Sequence, residues 1–188
     1  MKTSGHTGRW AKLLIAVIAV VTVLGAGVNA QRASAGYPVR GMLNVWGAQG
    51  NPQRCLDFDY WSPWNGGKVQ QWQCLNDAEQ RWQQIPEGCD YTGCYFELKS
   101  VYDGQCLDAD LNTIGRNGGV IQQWGCNNQY NQLWKWINSN GSTAALQSRW
   151  AQGVGGNMCL DFDLNTPGNG GRVQQWTCNN WNNQRWYL

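Results

Sequence analysis

The chain writes one sentence three times, and this repetition limits its fold more than any other feature. "CLDFDYWSPWNGGKVQQWQCLNDAEQRW" starts at Cys55, "CLDADLNTIGRNGGVIQQWGCNNQYNQLW" at Cys106 and "CLDFDLNTPGNGGRVQQWTCNNWNNQRW" at Cys159. A second cysteine recurs near the middle of each copy, at 74, 126 and 178. Pairing within each copy treats all three alike: Cys55–Cys74, Cys106–Cys126 and Cys159–Cys178. Each bridge would close a loop of about 20 residues, worth about 3 kcal/mol in the chain-entropy view. Cys89 and Cys94 fall between copies and pair as a short clip in "GCDYTGC". Zinc is the rival for any cysteine pair. It is disfavoured because every other cysteine has a symmetric partner and the single histidine is His6.

No segment after residue 35 sustains an apolar pattern at i, i+3, i+4, i+7. Short strand-like runs occur instead, at 42–46, 68–74, 95–101, 119–126, 145–150 and 172–178. Asn65-Gly66-Gly67, Asn117-Gly118-Gly119 and Asn169-Gly170-Gly171 punctuate them and supply the positive φ that tight turns need. Many short strands at even spacing predict an all-β closed fold. Three copies are few for a propeller. Three copies of four strands can close around a threefold axis, which removes exposed edges and predicts one shared core.

The first 35 residues read differently. Lys2, Arg9 and Lys12 precede the apolar run "LLIAVIAVVTVLGAGV" at 13–28, and Ala33-Ser34-Ala35 suits a small-residue cleavage site. This is the layout of a secretory signal peptide over 1–35, with Ala30 as the alternative cut; a retained membrane anchor through 13–28 is the rival. Cleavage removes four of the 14 basic residues, Arg32 included, and none of the 12 acids, leaving 10 against 12. No basic cluster suited to nucleic acid remains. Cleavage also removes His6, and with it any imidazole base or ligand. An even cysteine count in an exported chain reads as disulfides.

Each copy ends in Gln-x-Trp: Gln80-Arg81-Trp82, Gln132-Leu133-Trp134 and Gln184-Arg185-Trp186. With Cys-Leu-Asp in front and Gln-Gln-Trp in the middle, the chain resembles the ricin B-type lectin repeat over residues 40–188. The resemblance implies a β-trefoil of three homologous repeats, α, β and γ, at about 40–88, 95–138 and 142–188, with pseudo-threefold symmetry, inside a domain of residues 36–188. It assigns the terminal tryptophans to the core. It implies carbohydrate-binding sets of Asp57, Gln70, Trp72, Glu79 and Gln80 in α, Asp108, Gln122, Trp124, Asn131 and Gln132 in β, and Asp161, Gln174, Trp176, Asn183 and Gln184 in γ. Glu79 departs from the family's asparagine and puts the α site in doubt.

The chemistry supports those sets independently. A pyranose has an apolar C–H face, which a tryptophan can cover, and a rim of hydroxyls. A carboxylate accepts from two hydroxyls, and an amide both donates and accepts. Period-2 alternation puts Gln70 with Trp72, Gln122 with Trp124 and Gln174 with Trp176 on one side of their strand. Asp59, Asp110 and Asp163 read as turn formers, and Asn140-Gly141-Ser142 as a turn more simply than as a glycosylation sequon. Tyr60, Trp61 and Trp64 either extend a glycan platform or cover a neighbouring surface.

The expected function is therefore a secreted, monomeric, non-catalytic lectin without metal or cofactor. It would have up to three sites for galactose- or xylose-containing glycans, and would act alone or beside a separate secreted glycosidase. A hydrolase would need an acid pair across the scissile bond, and the only glutamates after residue 35 are Glu79, Glu87 and Glu97. A protein-binding or inhibitor trefoil would not need the Asp, Gln and Trp set in every copy.

Overall fold

The computed structural model describes residues 38–150 and 157–188. The expected signal peptide at 1–35 and the rival anchor at 13–28 lie outside the described residues. Among the described residues twelve strands occur in three groups of four. The α repeat holds β1 (Val39–Gly41), β2 (Arg54–Phe58), β3 (Gly67–Gln73) and β4 (Arg81–Asp90). The β repeat holds β5 (Gly93–Ser100), β6 (Cys106–Ala109), β7 (Gly119–Trp124) and β8 (Trp134–Ile137). The γ repeat holds β9 (Thr143–Ser148), β10 (Met158–Phe162), β11 (Gly171–Thr177) and β12 (Arg185–Tyr187). Among the described residues no helix is long and apolar enough to cross a membrane.

The pairing repeats with the sequence. The second and third strands of each repeat form an antiparallel hairpin, and the first pairs with the fourth. The three third strands β3, β7 and β11 pair with one another in a closed ring. This is a β-trefoil, the all-β threefold fold that the repeats imply.

One strand expectation fails. The run at 42–46 forms only two isolated bridges, Leu43 to Cys55 and Asn44 to Trp186. The side chain of Asn44 accepts hydrogen bonds from the backbone N–H of Trp46 and Gly47, which turns the chain before a strand can continue.

The core is built from five equivalent positions taken three times: Met42/Leu98/Leu146, Leu56/Leu107/Leu160, Phe58/Ala109/Phe162, Val69/Ile121/Val173 and Trp82/Trp134/Trp186. The terminal tryptophans are fully buried. Phe58 packs on Trp82 and Phe162 on Trp186. The β repeat has Ala109 instead, and the half-buried Ile114 packs against the same core. All four expected disulfides are present: Cys55–Cys74, Cys89–Cys94, Cys106–Cys126 and Cys159–Cys178.

The repeats are also tied to each other around the axis. The buried second glutamine of each Gln-Gln-Trp reaches into another repeat's loop. Gln71 donates to the carbonyls of Asp163 and Arg172, Gln123 donates to Ser62, and Gln175 accepts from Gly115 N–H. The asparagine of each Asn-Gly-Gly completes the cycle. Asn65 accepts from Gly125 N–H, Asn117 from Thr177 N–H and Asn169 from Gln73 N–H, at 2.7–2.8 Å. Within the motif, Gly66, Gly118 and Gly170 take the positive φ. The following glycine is required for space: a Cβ at Gly67 would lie 1.9 Å from the Ser62 carbonyl oxygen, and one at Gly171 2.1 Å from that of Thr166.

Candidate functional site

On the outside of each repeat, the hairpin sets the aspartate of Cys-Leu-Asp directly opposite the first glutamine of Gln-Gln-Trp. The pairs are Asp57 with Gln70, Asp108 with Gln122 and Asp161 with Gln174. In each pair the glutamine amide donates to the carboxylate Oδ1, at 2.8, 3.0 and 2.9 Å respectively. The other carboxylate oxygen is held from the end of the repeat. There a 3-10 turn precedes the final strand, at Ala78–Gln80, Tyr130–Gln132 and Asn182–Gln184. An asparagine in the left-handed region (Asn76, Asn128 or Asn180) leads into each of these turns, a device that asparagine tolerates better than most residues.

In the γ repeat, Asp161 Oδ2 accepts from Asn183 at 2.7 Å and from Gln184 at 2.9 Å. In the β repeat, Asp108 Oδ2 accepts from Asn131 and Gln132 at the same two distances. In the α repeat only Gln80 reaches Asp57 Oδ2, at 3.0 Å. Glu79 occupies the asparagine position there and has nothing to donate.

Burial raises all three aspartates above the ordinary carboxylate range, and the amide donors oppose that rise. In the α site Glu79 and Asp59 push the same way as burial. Asp110 and Asp163 do so in β and γ.

Two cavities open over these constellations. The β cavity, about 400 Å³, is lined by Asp108, Gln122, Trp124 and Asn131, with Leu111 and Asn112 on its rim. The γ cavity, about 360 Å³, is lined by Asp161, Gln174, Trp176 and Asn183, with Leu164 and Asn165 on its rim. Trp124 and Trp176 are 39% and 38% exposed, so each offers a free ring surface, whereas Trp82, Trp134 and Trp186 offer none. Asn131 and Asn183 each keep a buried Oδ1 without a hydrogen-bond partner beside these cavities.

The structure thus brings each predicted set together but divides its labour. Gln80, Gln132 and Gln184 are buried and fully engaged. Each donates to its aspartate and to a backbone carbonyl, and accepts from the residue after the second cysteine. Gln132 and Gln184 line neither cavity, so these glutamines position the carboxylate rather than face a ligand. Sequence reasoning missed Trp181, which is exposed and lines the γ cavity beside Trp176, and Gln129 at the equivalent place in β. The signal was a residue that varies inside an otherwise constant Cys-x-Asn-x-x-x-Gln frame. Asp59, Asp110 and Asp163 do form turns, accepting from the N–H two residues on. Asn140 likewise caps the turn into β9, accepting from Ser142 and Thr143 N–H.

A threefold fold with a polar-and-aromatic cavity repeated on its outside defines a lectin-like trefoil. Residues 46–186 match the family described as the ricin-type beta-trefoil lectin domain, and the chain belongs to that family. No curated protein matches the chain. Among solved structures it is similar to the designed threefold-symmetric protein ThreeFoil, with TM-score 0.66 and 20% identity over 79% of this chain and 95% of that one. It is similar to part of 1,3Gal43A, an exo-β-1,3-galactanase from Clostridium thermocellum, with TM-score 0.64 and 26% identity over 79% of this chain but 29% of that one. It also resembles a Polyporus squamosus lectin solved with a sialylated galactose epitope, with TM-score 0.59 and 14% identity over 81% of this chain and 48% of that one. The family supports a carbohydrate-binding role, and these neighbours share the fold.

Proposed function

We propose that the β and γ repeats bind neutral pyranosides of the galactose or xylose type, without catalysis and outside the cell. The observation that carries this reading is the aspartate held by three amide donors, built twice with the same geometry, beneath a half-exposed tryptophan. Asp108 and Asp161 keep acceptor capacity for sugar hydroxyls, because Oδ1 of each has only one protein donor. The unpartnered Oδ1 of Asn131 or Asn183 is a further acceptor. Trp124 or Trp176 covers the apolar sugar face, and in γ Trp181 adds a second ring.

The way the acids are used supports a non-catalytic role. The second acid at each cavity, Asp110 or Asp163, is tied into its own turn by backbone and side-chain donors. Neither is free to act as the proton donor a glycosidase requires. Four disulfides suit an oxidising compartment, in keeping with secretion after cleavage of residues 1–35. Single sites of this size bind weakly, and two on one rigid monomer raise avidity when a glycan array engages both.

The test is retention on galactose-, lactose- or xylan-coated resin with elution by free sugar. The parent protein is retained, and the Asp108→Ala/Asp161→Ala protein passes through. Unchanged retention of that double variant refutes the site assignment.

A further inference from the structure

The α site departs from the other two in charge, besides Leu75 standing where β and γ have Asn127 and Asn179. Where β and γ have Asn131 and Asn183, α has Glu79; where they have Gln129 and Trp181, α has Asp77. Amide or neutral groups are thus replaced by carboxylates around Asp57. Glu79 makes no hydrogen bond or ion pair among the described residues. The basic residue at the hairpin end does not offset it, because it is not special to α. Lys68 there donates to the Gly170 carbonyl, as Arg172 in γ donates to that of Gly118.

The rim changes as well. Leu111-Asn112 and Leu164-Asn165, which edge the β and γ cavities, are replaced by Tyr60-Trp61. Trp61 is 80% exposed and Tyr60 52%. Tyr60 packs edge-on to Trp61 at 5.1 Å between centroids and against Tyr102 at 5.5 Å. Tyr102 comes from the turn after β5, so two repeats build this wall. Glu79 lies in the 3-10 turn whose Gln80 holds Asp57, at the position from which Asn131 and Asn183 reach Asp108 and Asp161; its charge, after desolvation and Tyr60, helps raise the Tyr102 phenol.

We infer that the α site binds a cationic sugar, a 2-amino-2-deoxyhexose unit with a free ammonium group, rather than the neutral pyranoside of β and γ. The inference rests on the lectin reading above. A neutral hydroxyl gains little from a second acceptor that cannot donate. An ammonium group has three donors and no acceptor, so it satisfies Asp57 and Glu79 together with charge-assisted hydrogen bonds. Aromatic faces attract cations, and the same rings cover the apolar face of the sugar. Trp72, on β3 beside Gln70, completes the stacking set in the position of Trp124 and Trp176.

The experiment is calorimetric titration of the parent protein with a glucosamine trimer, in lactose that saturates β and γ. The N-acetylated trimer serves as the neutral control. Saturable binding of one amine-bearing trimer per chain is expected, with the N-acetylated trimer at least about tenfold weaker. Glu79→Gln leaves the fold intact by its unfolding curve and weakens the trimer by about tenfold. Tyr60→Ala/Trp61→Ala weakens both trimers. No trimer binding, equal affinity for the two trimers, or an undiminished Glu79→Gln protein overturns the assignment. The lectin reading fails separately, if the parent protein binds neither lactose nor xylan.

Discussion

The α and γ repeats use the same bricks and present different surfaces. Both place a phenylalanine on a buried tryptophan, Phe58 on Trp82 and Phe162 on Trp186. Both thread a glycine against a backbone carbonyl and pass a buried glutamine into another repeat. Yet the γ cavity is edged by Leu164, Asn165, Trp181 and Asn183, and the equivalent α positions are Tyr60, Trp61, Asp77 and Glu79. Core positions are enclosed by neighbours from other repeats, so they stay apolar in every copy and are unchanged at Leu56/Leu107/Leu160 and Trp82/Trp134/Trp186. Positions on the rim are free of those neighbours, and there the copies differ.

The largest effect should fall on the bricks, and equally in both repeats. Gly67→Ala and Gly171→Ala force a Cβ to about 2 Å from a carbonyl oxygen, and each should cost at least about 3 kcal/mol in urea unfolding. Gly119→Ala, with a 2.7 Å approach, should cost less. A loss under about 1 kcal/mol at Gly67 would break the claim that the loops are pinned by close approach.

Next come the surfaces. Asp161→Ala should weaken lactose binding at γ by about 10- to 100-fold, the worth of a charge-assisted hydrogen-bond set. Asp57→Ala should leave lactose binding untouched. Equal losses from the two would erase the difference between the repeats.

A smaller effect tests the ties between repeats. Gln71→Leu and Gln175→Leu should each lower stability by about 1–2 kcal/mol, by leaving groups of the neighbouring loop unpaired. Lactose affinity per folded molecule should not change, as read by calorimetry beside the unfolding curves.

The smallest effect is in pH. Burial raises the three aspartates, so the folded protein holds their protons to higher pH than the unfolded chain. Their contribution to stability is therefore fully present below the unfolded value and is lost as pH rises through the folded value. Sugar binding needs the ionised acceptors and runs the opposite way, weakening on acidification with a midpoint above the ordinary aspartate value. Lactose affinity and the aspartates' contribution to urea midpoints between pH 3 and 7 should therefore slope in opposite senses.

Most of the architecture was legible in the sequence because repetition states it three times. The repeat disulfides and the threefold closure follow from matched cysteines and strand-length spacing, and the family resemblance carried by Gln-x-Trp implies the buried terminal tryptophans. The strand expected at 42–46 was not legible, because one side chain, Asn44, turns the chain by bonding forward to Trp46 and Gly47. The site's members were legible, but their division of labour was not. Nothing in the one-dimensional pattern says that Gln184 spends both ends of its amide on the protein while Asn183 beside it faces the cavity. The twin glutamines of Gln-Gln-Trp were separable, since alternation sends Gln174 to the aspartate and Gln175 to the neighbouring repeat. Trp181 escaped notice because it recurs in no other copy, and repetition reveals only what recurs.

The central claim is that two neutral-sugar sites, at β and γ, are built from the aspartates of the repeated Cys-Leu-Asp. Calorimetric stoichiometry with lactose tests it most directly. The account predicts two sites per chain, one in Asp161→Ala and none in Asp108→Ala/Asp161→Ala. Three equivalent sites in the parent protein, or two sites surviving in the double variant, would contradict it.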